Sequence, residues 1–130
     1  MRLGFAMLLM ATTTATAAES IRIPGEGTEL QAKLTRPAGD GPFPAVVALH
    51  GCSGLGGGSA SPLYQAWSER LAANGYVVLF PDSFGSRGLG SQCRVRERGV
   101  RPRQERVDDA HAARRWLQQQ SWVKPERVSL

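Results

Sequence analysis

Cysteine and histidine are scarce here, with only Cys52, Cys93, His50 and His111 in 130 residues. So few soft ligands at this spacing argue against a metal-built domain, and neither a metal nor another cofactor is expected. Long apolar runs are missing as well. Beyond the first seventeen residues no stretch approaches the ~20 residues a membrane-spanning helix needs, so no stable membrane span is expected. No internal repeat is visible, which argues against a solenoid. The arginine-rich stretch from Arg87 to Arg106 contains no aromatic residue and is interrupted by Glu97 and Glu105, so it matches no nucleic-acid module. It reads as a solvated loop that carries much of the net charge of +5.

What is present is the composition of one ordinary globular domain, 42% hydrophobic and 21% charged. The 15 glycines and 8 prolines gather in a few stretches, as they do in long turns between regular elements. At the start, Arg2, the apolar run Leu3 to Met10 and the A-x-A site Ala15-Thr16-Ala17 read as a signal peptide over residues 1–17. Its removal leaves 130 − 17 = 113 residues, residues 18–130, in the periplasm or outside the cell. In an oxidising compartment Cys52 and Cys93 can form one disulfide, whereas in the cytosol they would be two buried thiols. The bridge would close a long loop and contribute ~3 to 4 kcal/mol.

Along the chain, Glu29 to Arg36 alternates, with Leu30, Ala32 and Leu34 on one face, as in a half-buried strand, and Ile21 to Ile23 is a weaker strand before it. Ala45 to Leu49 and Tyr76 to Phe80 are apolar, β-branched runs that suit strands buried on both faces. Between them a helix is expected from Pro62 to Asn74, capped by Ser61 and ended by Gly75, with Leu63, Ala66, Trp67 and Leu71 facing inward. A second helix, about Arg103 to Gln120, offers an apolar stripe of Val107, Ala110, Ala113, Trp116 and Leu117. Glu105, Asp108 and Asp109 suit the positive end of its dipole, and His111 is expected at the edge of the stripe. Val128 to Leu130 begins a further strand, expected to leave an apolar edge from Arg127 onward. This order specifies an α/β fold with a mostly parallel sheet and helices on both faces.

The stretches PAVVALHGCSGL (44–55), GYVVLFPDSFGSRGLGSQC (75–93), ERVDDAHAARRWL (105–117) and the terminal RVSL resemble the N-terminal part of the dienelactone hydrolase family of α/β-hydrolases. The resemblance implies hydrolysis of carboxylic esters or lactones by a Ser/Cys-His-Asp triad. In that fold the loop after the His-Gly strand lends a backbone N–H to the oxyanion hole. By position this is Gly51-Cys52-Ser53-Gly54, with the Cys52 amide as donor and Gly51 in support; Gly54 serves the turn. The resemblance also implies that Arg87 holds a substrate carboxylate, although it stands one position from the family's arginine and a plain surface role is the alternative. The family's acidic residue near the oxyanion loop is replaced in HGCSG, so a general ester or lactone is expected rather than dienelactone itself.

Cys52 lies on the wrong loop to be the nucleophile. An elbow of the form G-x-S-x-G or G-x-C-x-G is absent, the nearest approach being Gly57-Gly58-Ser59-Ala60-Ser61. The elbow is expected directly after Leu130, with the acid and base later, so the 130 residues are expected to be inactive alone. His50, at a strand end, has no nucleophile to serve. The alternative reading is a non-catalytic exported protein that binds an anion or other ligand with the same loops.

Overall fold

The computed structural model describes residues 15–56 and 62–130, so residues 1–14 of the expected leader and the expected cap Ser61 lie outside the described residues. The elements run β1 (Glu19–Pro24), β2 (Glu29–Thr35), β3 (Phe43–Val47), α1 (Pro62–Ala73), β4 (Val77–Pro81), a short 3-10 turn (Gly85–Arg87), α2 (Glu105–Gln118) and β5 (Val123–Ser129). The sheet is mixed, in the order β1-β2-β4-β3-β5. β2 is antiparallel to β1 and β4, whereas β3 is parallel to β4 and β5. The chain passes from β3 to β4 through α1 and from β4 to β5 through the 3-10 turn and α2, the helical crossovers that parallel strands require.

β4 is buried along its whole length, and its residues alternate between two cores. Val77 and Leu79 face α2 and join Leu30, Ala32, Leu34, Ala45, Val47, Ala113, Leu117 and Val128. Val78 and Phe80 point to the other face, with Leu55 and the partly buried Tyr64 and Leu71. The period-2 patterns of β2 and β4 therefore sort side chains between faces as the sequence predicts.

The helices turn differently from expectation. Leu63 and Trp67 are 62% and 52% exposed, and Ala66 is exposed too. The inward face of α1 is Tyr64, Ser68, Leu71 and Ala72 instead. Tyr64 sets this rotation: its ring meets Phe80 at 5.2 Å, and its hydroxyl accepts a hydrogen bond from the Gly51 amide at 2.8 Å. The end of α1 is as expected, because Gly75 sits at φ +85° while the Gly75 and Tyr76 amides return to Ala72 and Leu71.

On α2, Val107 is exposed and Asp109 is fully buried beside Ala110, Ala112, Ala113 and Leu117; Trp116 is half-buried. His111, expected at the edge of the stripe, is exposed. β5 begins at Val123, earlier than Arg127, and only Val123 and Val128 are buried. Between them lie half-buried Lys124 and exposed Pro125, Glu126 and Arg127, so this edge is charged and proline-bearing, not apolar.

Candidate functional site

The chain leaves β3 through His50 and turns over Gly51 to Gly54. The Gly54 amide donates to the Gly51 carbonyl at 3.2 Å, and Gly54 takes φ +79°, a conformation that disfavours a side chain. Gly51, Cys52 and Ser53 are exposed. The Cys52 carbonyl accepts from the Gln92 amide at 2.8 Å, while the Cys52 amide meets no acceptor among the described residues. The Gly51 amide is committed to Tyr64. Of the two expected residues, then, Cys52 presents a free donor and Gly51 shapes the turn beside it.

Cys52 and Cys93 are joined, with Cα atoms 4.8 Å apart. Together with the Gln92 contact, the bridge fastens the turn after β3 to the long segment after β4.

His50 is 2% exposed, and both its ring nitrogens are engaged. Nε2 accepts from the Ser83 amide at 3.1 Å, so it carries no proton, and Nδ1–H donates to the Gly51 carbonyl at 2.8 Å. Burial lowers the His50 pKa below its ordinary value, and the neighbouring Arg106 guanidinium acts in the same direction. Asp82 Oδ1 lies 3.8 Å from Nε2, but the neutral ring makes this no ion pair. His50 is a neutral tie between two loops and has no lone pair to offer as a base.

His50, Asp82 and Ser83 thus lie close together, yet their arrangement is not a catalytic triad. Ser83 Oγ is sealed from solvent and has no hydrogen-bond partner among the described residues, so no substrate reaches it. Asp82 organises the turn that follows β4. Its Oδ1 accepts from the Phe84 and Gly85 amides at 3.2 and 2.8 Å, and Ser86 Oγ donates to its carbonyl. Ser86 Oγ in turn accepts from the Gln31 amide at 2.9 Å, which ties the turn to β2. A Cβ on Gly85 would collide with the Asp82 carboxylate and displace it from its amides.

Arg87, expected to hold a substrate carboxylate, is engaged within the fold. Its guanidinium grips Asp109 through two hydrogen bonds of 2.8 and 2.9 Å, and it also donates to the Ser83 carbonyl at 2.8 Å. The carboxylate expected from a substrate is supplied by α2. This contact with Asp109 raises the Arg87 pKa above its ordinary value. Arg106, also half-buried, donates to the His50 carbonyl and lies over the Phe84 ring at 5.4 Å. Sequence reading missed Asp109 because an acidic residue in the first turns of a helix has a sufficient explanation in the dipole. The tandem Asp108-Asp109 within an apolar stripe was the available signal.

Two shallow spaces adjoin the turn. Ser53, Gly54, Leu55, Asp82, Phe84 and Gly90 border a cavity of about 110 Å³. Leu49, Val107, His111 and Leu130 line a groove of about 340 Å³ at the end of β3. Among the described residues no His, Cys, Asp or Glu cluster could hold a metal ion, and no helix is long and apolar enough to cross a membrane.

This sheet, with one helix on each face and a free-amide turn at the end of β3, is an α/β-hydrolase fold. Solved structures share it at low identity. A dienelactone hydrolase-like promiscuous phosphotriesterase from metagenomic libraries aligns with a TM-score of 0.70 and 20% identity, over 89% of this chain and 48% of its own. A protein described as a dienelactone hydrolase, from Klebsiella pneumoniae, aligns at 0.67 and 20%, over 88% and 48%. The esterase Est22 aligns at 0.62 and 18%, over 88% and 34%. The chain thus spans half or less of the length of these structures. The profile of the X-Pro dipeptidyl-peptidase (S15) family matches residues 26–129, and the chain belongs to that family. No curated protein matches it.

Proposed function

We propose that these residues form the N-terminal half of an exported hydrolase that acts on a small carboxylic ester or lactone. The Cys52 amide is the oxyanion-hole donor. The observation that carries this reading is the exposed turn after β3, whose Cys52 amide has no acceptor among the described residues and is thereby available to a developing negative charge. The nucleophile, acid and base belong to sequence beyond Leu130. A polarised carbonyl without a nucleophile is not cleaved, so the 130-residue chain alone is inactive. Export is supported by the Arg2, Leu3–Met10 and Ala15-Thr16-Ala17 pattern. Cleavage after Ala17 removes the hydrogen bonds between Thr16 and Arg36 but leaves β1 whole, since it starts at Glu19.

The S15 match favours a second reading, cleavage of a peptide after proline, by the same acyl-transfer chemistry on an amide. The test has two parts. Purified 130-residue chain is expected to hydrolyse neither p-nitrophenyl butyrate nor alanyl-prolyl-p-nitroanilide, and turnover of either would overturn the inactive-alone reading. The coding sequence after the Leu130 codon is expected to continue into G-x-S-x-G or G-x-C-x-G, with Asp and His later. A stop there would favour a non-catalytic ligand-binding protein. With the elbow present, preference for the ester or the anilide separates the two substrates.

A further inference from the structure

The segment after β4 holds an arginine cluster that the proposed catalysis does not use. From Arg94 to Arg106 six arginines, at 94, 96, 98, 101, 103 and 106, stand against two glutamates, at 97 and 105. Arg106 is occupied with His50 and Phe84, and Arg101 with Glu105 at 2.7 Å. Among the described residues Arg98 donates only to the Val95 carbonyl. Arg94 and Arg96 are exposed and make no ion pair among the described residues. Arg94, Arg96, Arg98 and Arg101 nevertheless line one concavity of about 660 Å³, bounded by Cys93, Val95 and Pro102.

Like charges at the end of a flexible loop would spread apart in water. Here both ends of the loop are fixed. Cys93 is bridged to Cys52, Val100 is 1% exposed, and the Arg101 amide and guanidinium both bond Glu105. The fixed ends limit how far the guanidinium groups can separate, so an anion meeting them has less entropy to remove. Planar guanidinium forks match the oxygens of phosphoryl groups, and several of them suit an anion of more than one charge.

We propose that this concavity binds a small multivalent oxyanion of the phosphate or diphosphate class. The shared disulfide holds it beside the Cys52 turn, so the anion is the charged arm of the ester whose carbonyl occupies that turn. This last step rests on the hydrolase reading, whereas the anion site itself does not.

The test titrates the 130-residue chain with inorganic pyrophosphate by calorimetry at low ionic strength, where surface charge is least screened. Saturable binding is expected, weakened by about tenfold or more in Arg94→Ala/Arg96→Ala. Arg22→Ala, on distant β1, is expected to leave it unchanged. Absence of binding, or equal affinity in the double variant, overturns the site. Duplex DNA that binds more tightly than pyrophosphate and is weakened equally by Arg22→Ala also overturns it, because it reports a diffuse basic surface. A second titration, with methyl 3-phosphonopropionate, follows the Cys52 amide by NMR. A shift with this ester and none with pyrophosphate supports the charged-arm assignment. An unmoved Cys52 amide with intact pyrophosphate binding overturns that assignment alone and leaves a site for free anion, because the hydrolase reading is tested separately by the elbow sought after the Leu130 codon.

Discussion

The loops that leave β3 and β4 begin at the ends of neighbouring parallel strands, yet they dispose of their polar groups in opposite ways. After β4, Asp82, Ser83 and Phe84 are buried, and carboxylate, hydroxyl and guanidinium groups are spent on backbone and on α2. After β3, Gly51, Cys52 and Ser53 are exposed, and the Cys52 amide is left unspent among the described residues. The Asp82 carboxylate and the Arg87 guanidinium, committed to the fold in this way, act as scaffold, in contrast to the exposed Arg94 and Arg96 further along the same segment. A donor left free on a turn held from behind can meet a developing charge without reorganising. Three ties join the loops: the Cys52–Cys93 bridge, the bond from Gln92 to Cys52, and His50 against Ser83.

Opening the bridge should have the largest effect on this pairing. Crosslinked residues 41 positions apart restrict the unfolded chain enough to contribute about 3 to 4 kcal/mol. Urea unfolding of Cys52→Ser/Cys93→Ser against the oxidised parent measures it. A loss below about 1 kcal/mol would mean that the reduced unfolded state already holds the loops together.

Next comes Asp109→Ala, expected to cost about 3 kcal/mol because it strands a guanidinium only 20% exposed. The double variant Asp109→Leu/Arg87→Leu should recover part of the loss. If it does not, the pair contributes more than the desolvation of its own charges. A smaller cost, about 2 kcal/mol, is expected for Gly85→Ala, where the new methyl group displaces the Asp82 carboxylate from its amides. Unchanged stability there would show that the turn after β4 yields, and that it is less rigid than its hydrogen bonds imply.

The strand framework was legible because burial imposes a pattern on sequence: Leu30, Ala32 and Leu34 alternate, and Val77 to Phe80 run unbroken between two cores. The helix faces were less so. A stripe drawn through Leu63 and Trp67 has the right period, but one tyrosine with both a ring contact and a hydroxyl bond turns α1 away from it. Asp109 does the same on α2 at the expense of Val107, through a partner 22 residues away. For the site, the position of the turn after β3 followed from strand order. The diversion of Arg87 to an internal carboxylate did not, because an arginine reads alike whether its anion is internal or bound. The charged middle of β5 was visible as Lys-Pro-Glu-Arg, but its pairing needs Phe43 opposite Val123 and a bulge before Ala45 meets Val128.

The smallest predicted effect concerns the tie made by His50. Its neutral ring donates to Gly51 and accepts from Ser83, so a second ring proton would confront the Ser83 amide with another donor. Burial, assisted by Arg106 and opposed by the Gly51 hydrogen bond, Asp82 and Asp109, holds the folded pKa below its usual value. Between the folded and unfolded pKa values the unfolded chain binds the extra proton. The contribution is therefore complete above about pH 6.5 and is lost as pH falls toward and through the lowered folded value. At about pH 6 the loss should reach no more than roughly 1 kcal/mol. Urea unfolding across this range, taken as the difference between the parent and His50→Gln, isolates it because His111 is common to both. Parallel pH profiles would mean that His50 protonates equally in the folded and unfolded chain, and that the loops are tied without it.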